Sequence, residues 1–165
     1  MYILFGRYRM LTEQMTATEV FDKYRGDIEK LIAYLPWLEE KSGKSKVSDI
    51  YHGDGLDQHS ISFPVYDGTL LRFVKDAENT QFMDRNYVYV ISRNRLKSAA
   101  DEVEFVSKQT MLKMDNIGGI LSKYVMGGRT KAVLWSEAVD KGVFLAVVTR
   151  LKELYDIGLN GMVEQ

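Results

Sequence analysis

The alternation of apolar and polar positions divides the chain into a series of amphipathic segments. In the first strong one, Val20, Phe21, Tyr24, Ile28, Leu31, Ile32 and Leu35 recur at helical spacing and share one face. Thr16-Ala17-Thr18-Glu19 has the spacing of a capping box, in which Thr16 accepts from the Glu19 amide and Glu19 reaches back. Pro36 ends this helix or restarts it, because the residue before a proline avoids the helical region. Trp37 and Leu38 then fall in a short second turn running to Lys41. Ser60 to Tyr66 alternates weakly, contains Pro64 and is expected to be extended. Asp67 is placed to cap a helix with an apolar stripe of Leu70, Leu71, Val74 and Ala77, ended by Asn79 or Thr80. Phe82 and Met83 are expected to return to the core.

Tyr87 to Ile91 reads two ways. Five aromatic or β-branched residues in a row favour a strand. Asp84 before them and Arg93-Asn94-Arg95 after them have helix-end chemistry, and the only strand partner in reach is Ile61 to Tyr66. Two strands alone are marginal, so helix is the preferred reading. Further on, Ser98 or Asp101 starts a helix carrying Val103, Phe105, Val106 and Met111. Asp115 starts another, with Ile117, Ile120, Leu121, Tyr124 and Val125, and Gly127-Gly128 is expected to close it in the left-handed conformation. Lys131 to Asp140 predicts a short helix stopped by Gly142. Val143 to Asp156 is mostly apolar and predicts a central core helix, ended by Gly158 and Gly161. The fold class is mainly α, a compact multi-helix domain with a minor β element near 60–66 and 87–91. Residues 1–15 read as a flexible leader or short edge segment, and 16–160 as a single helical domain with a polar connection at 42–60.

Composition narrows the function. The chain has 165 residues, no cysteine, two histidines and a formal charge of -1. Disulfides, zinc–thiolate sites and a cysteine nucleophile are therefore excluded, and near-zero net charge argues against a general coat for nucleic acid or anionic membrane. The opening apolar run, Tyr2 to Phe5, is shorter than the ~7–15 residues of a signal-peptide core. No stretch approaches the ~20 apolar residues of a membrane span. A cytoplasmic location without membrane association is the expectation.

From Asp115 onward the spacing Leu134, Ala138, Gly142, Val148, Leu151, Leu154 is joined by Arg150-Leu151-Lys152-Glu153-Leu154. With Phe63-Pro64-Val65-Tyr66, Phe73 and Phe82 upstream, about two thirds of the chain resembles domain of unknown function 6508, a bacterial and phage family of small uncharacterised helical proteins. The resemblance implies a helical fold, brings no catalytic residue, and gives a phage or mobile-element setting.

Four groups of residues are candidates for chemistry. Both histidines fall in the polar connection, where His52, Asp54, Asp57 and His59, with Asp49, offer imidazole and carboxylate ligands to a metal. The spacing matches no calcium loop, and the alternative is a solvated loop. Gly43-Lys44-Ser45 imitates the tail of a phosphate-binding loop, but Leu38 stands where the earlier glycine is required. Ala138, Gly142 and Val148 have the packing spacing of a helix-turn-helix spanning 131–156, whose second helix would present Ala146, Thr149, Arg150, Lys152 and Glu153, with Arg129, Lys131 and Lys141 flanking it. An ordinary packed hairpin needs the same small residues. Finally, Arg85, Arg93, Arg95 and Lys97 interleave with Tyr87 and Tyr89, as in a site that stacks bases beside arginines. The alternative is a helix whose basic end complements its dipole. No nucleophile elbow or paired carboxylates appear, and no cofactor is implied.

These readings favour a non-enzymatic interaction or accessory protein that binds and modulates a macromolecular partner, such as a defence nuclease. Eight methionines and a 12% aromatic content fit a binding surface, although core packing accounts for most of them. A protein partner is expected. Nucleic acid is the alternative, using the 131–156 hairpin, and a metal-dependent enzyme using His52 and His59 is the second alternative. Trp37, Trp135 and the apolar last helix leave room for a homo-oligomer.

Overall fold

The computed structural model describes residues 14–44, 47–51, 63–131 and 133–161. Helix α1 (Ala17–Ile32) begins with the capping box: Glu19 N donates to Thr16 Oγ1 at 3.1 Å, and Thr16 N to Glu19 Oε1 at 3.2 Å. Pro36 sits in the first turn of α2 (Leu35–Lys41), where its missing N–H costs nothing. Strand β1 (Ser48–Tyr51) pairs antiparallel with β2 (Phe63–Tyr66), Ser48 opposite Tyr66 and Tyr51 opposite Phe63. The polar connection thus contains a strand. Four residues are too few for an alternation to show, so only its partner was legible. Asp67 caps α3 (Gly68–Glu78) by accepting from Thr69 N at 2.7 Å. The buried stripe of α3 is Leu70, Phe73, Val74 and Ala77, while Leu71 lies exposed on the opposite side.

Tyr87–Arg93 is a helix, α4, and not a strand. Helix α5 (Ala99–Ser107) is capped by Ser98 Oγ, which accepts from Asp101 N at 3.1 Å. Met111 belongs to a separate 3-10 turn, Met111–Lys113, that leads into α6 (Met114–Gly127). Asp115 lies in the first turn of α6 and caps nothing. Gly128 closes α6 in the right-handed region (φ -64°), against the expected left-handed cap. Its glycine has another reason: a Cβ there would run into the Trp135 indole. Helix α7 (Val133–Asp140) turns at Gly142, whose φ of +75° does require glycine, into α8 (Val143–Leu159). Gly158 does not end α8 but lies inside it, where a Cβ would meet the Phe21 ring.

Helix α8 is the central element and packs against α1, α2, α5, α6 and α7. Val143, Phe144, Val147, Val148, Leu151 and Leu154 are buried along it. Phe144 meets Phe73 of α3, centroids 4.8 Å apart, and Tyr124 of α6 at 6.2 Å. Each such side chain contributes roughly 1.5–3 kcal/mol by leaving water. The hairpin is tied to the helices through Tyr66, edge-on to Trp135 at 5.5 Å, and Trp135 Nε1 donates to Val125 O at 3.1 Å. Among the described residues, no helix is long and apolar enough to cross a membrane.

Candidate functional site

The site is built on α4, which rests on α6. Two consecutive glycines in the middle of α6 make the seat. A Cβ on Gly119 would lie 2.7 Å from Val90 Cγ2, and one on Gly118 would lie 2.8 Å from the Phe82 carbonyl oxygen. The side chains omitted there let Val90 of α4 and the Phe82 turn approach the α6 backbone. Ser122, one turn further along α6, fixes the approach: its hydroxyl accepts from Asp84 N at 2.9 Å and lies 3.1 Å from Phe82 O. Tyr24 stacks on Phe82 at 4.8 Å from the other side. The turn leading into α4 is thus held on both flanks.

With Val90 turned inward, the opposite face of α4 is left to solvent. Val88 is 58% exposed and Tyr89 66%, although both are large and apolar. Arg85, Arg93, Arg95 and Lys97 are exposed around them, and none has an ion-pair partner among the described residues. No acidic residue occurs between Arg85 and Lys97. The helix closes in a Schellman arrangement, Arg95 N to Ser92 O at 3.2 Å and Leu96 N to Ile91 O at 3.1 Å. The left-handed residue of that closure is Arg95, with φ of +55°, where glycine is the usual occupant. A side chain there costs about 1–2 kcal/mol.

At the turn that leads into α4 opens a cleft of about 390 Å³ lined by Glu78, Met83, Arg85, Met126 and Arg129. Arg129 is engaged across it: Nε donates to Glu78 Oε1 at 2.6 Å and Nη2 to Glu78 Oε2. Arg85, unpaired among the described residues, therefore supplies positive charge to a cleft that also holds the Glu78–Arg129 pair and two thioethers. That arrangement suits an apolar side chain flanked by a carboxylate. Polarizable, unbranched methionine adapts to varied apolar shapes.

The sequence candidates separate into three groups. Arg85 and Arg129 come together at the cleft, while Arg93 lies one turn beyond Tyr89 on α4 and Arg95 follows its C-cap. Lys131 is exposed after α6. Arg150 is drawn inward, its Nε donating to Gln109 O at 2.8 Å and its Nη1 3.4 Å from Glu153. Gln109 in turn accepts from Asn116 at 2.9 Å, so Arg150 fastens the turn between α5 and α6 to α8. Lys152 pairs with Asp156 at 2.7 Å. The exposed strip of α8 offers Thr149 and Glu153 and is not basic. His52, Asp54, Asp57 and His59 lie outside the described residues. Asp49 is in β1.

One charged group escaped the sequence reading. Glu102 of α5 is 1% exposed, with Lys123 Nζ at 2.6 Å and the Tyr124 hydroxyl at 2.5 Å. Burial first, then the Glu102 hydrogen bond, pushes the Tyr124 hydroxyl far above its ordinary range. Lys123 also lies over the Tyr124 ring at 4.9 Å. The only sequence signal was spacing: Glu102 is four residues before Val106, on its buried side. The triad sets α5 on α6. Among the described residues no three histidine, aspartate or glutamate side chains gather to hold a metal. No family model, no curated protein and no solved structure matches the chain.

Proposed function

We propose that the protein is a non-enzymatic interaction protein that docks a macromolecular partner, a protein, on the outer face of α4. The observation that carries this is the exposure of Val88 and Tyr89 amid arginines that have no ion-pair partner among the described residues. Tyrosine, methionine and arginine are the residue types enriched at protein interfaces. Leaving large apolar side chains in water gives up stabilisation that a partner restores. The phage or mobile-element setting, and a host defence enzyme as the partner, come from the family resemblance alone.

The test is affinity capture on the immobilised protein from the native host, with and without nuclease treatment. The expected result is a specific protein whose recovery nuclease does not change. Recovery of nucleic acid alone, of a protein that nuclease releases, or of nothing would contradict the proposal.

A further inference from the structure

We infer that the α4 face and its cleft take an acidic peptide segment of the partner, with one apolar side chain seated between Met83 and Met126 and carboxylates on Arg85, Arg93 and Arg95. This rests on the reading of α4 as the docking face and adds the chemistry of what docks. Charge complementarity is the first argument. Arg85, Arg93, Arg95 and Lys97 form a run without a single acid, in a chain whose total charge is -1. The second is Arg95 itself. Its left-handed backbone favours glycine, and its side chain makes no ion pair among the described residues. Strained backbone of this kind, held here by the Schellman bonds, clusters at binding and switch sites. The third is the cleft, where thioethers from Met83 and Met126 adjoin the Arg85 guanidinium, which has no ion-pair partner among the described residues.

A polynucleotide fits this surface less well. Met83 and Met126 line the cleft, and a sugar–phosphate backbone has no apolar side chain to place against them. Tyr89 offers one exposed ring and Val88 beside it none, so successive bases do not both find a stacking platform there. A net charge of -1 gives no long-range pull on a polyanion. A short acidic segment needs only the local excess of cations.

The experiment is selection of a random peptide library on the folded protein. Peptides enriched on the wild type should carry Asp or Glu beside a single Leu, Ile, Met, Phe or Trp. The affinity of the best peptide should fall about tenfold in Arg85→Glu and about fivefold in Arg95→Gly. Arg95→Gly should at the same time melt about 2–4 °C higher, because the backbone strain is relieved. That pairing of weaker binding with higher stability excludes unfolding as the cause. Enrichment without acidic residues, affinities unchanged in both variants, or no enrichment would overturn the inference. So would a single-stranded oligonucleotide that binds more tightly than the best peptide at physiological salt. If selection fails while a nuclease-resistant partner is still lost from a Val88→Asp bait, the acidic peptide falls and the docking face stands. If that bait keeps its partner, both fall.

Discussion

At Gly119 the absent side chain is what allows α4 to sit on α6. A methyl group placed there lies 2.7 Å from Val90 Cγ2 and 2.9 Å from its Cβ, so the helices must separate or Val90 must rotate. Gly119→Ala is expected to cost about 1–3 kcal/mol. It should lower the urea midpoint without changing the slope; an unchanged midpoint would show that α4 is loosely seated. Glu102 is the second residue whose environment decides its value. Glu102→Ala leaves Lys123 and the Tyr124 hydroxyl without their carboxylate and should cost about 3 kcal/mol. Glu104→Ala removes an exposed pair with Lys108, 2.8 Å apart, and should fall within about 0.5 kcal/mol of the wild type. Equal losses in the two variants, measured by the same denaturation, would contradict this assignment. Helix ends were legible residue by residue, because Thr16, Asp67, Ser98 and Gly142 act on their own neighbours. Gly128 closes α6 as expected but not in the left-handed region, its lack of a side chain serving the Trp135 ring of the next helix. Gly158 was misread because the Phe21 ring that requires it comes from a distant segment. Glu102 was missed because an acid on a helix normally faces water.

At the scale of elements, most helices follow from apolar spacing, and α8 is the central helix its composition predicts. Strand β1 was not legible, having only Ile50 and Tyr51 as apolar positions. The ambiguity at Tyr87–Ile91 resolves to helix because α6 supplies a glycine seat, which no local propensity encodes. That seating also makes the candidate site. The run Arg85 to Lys97 could be read from the chain, but the meeting of Arg85 with Met126 and Arg129 could not. In the α7–α8 hairpin, Arg150 serves the turn after α5. Arg150→Met should therefore reduce stability by about 1–2 kcal/mol, having removed a hydrogen bond to the Gln109 carbonyl. No loss of stability in thermal or urea unfolding would mean that Arg150 does not fasten that turn.

Across the whole molecule, phenol groups tie distant segments together and make alkaline stability a readout of the fold. Burial, followed by the 2.5 Å hydrogen bond to Asp76, raises the Tyr34 hydroxyl from 10.0 to about 12. The unfolded chain releases this proton first. The contribution of Tyr34 is thus complete below about pH 10 and is lost as the pH climbs towards 12. Tyr34→Phe should flatten that fall, as followed by denaturant titrations across the window; an equally steep fall would place the alkaline loss elsewhere. The balanced charge of the molecule conceals one basic, partly apolar face, and the account rests on that face being where a partner docks. The deciding measurement is the amount of nuclease-resistant partner recovered by wild-type and Val88→Asp baits of equal folded fraction. About tenfold less on Val88→Asp is predicted, the loss expected from one interface hot spot. Equal recovery on the two baits would contradict the account.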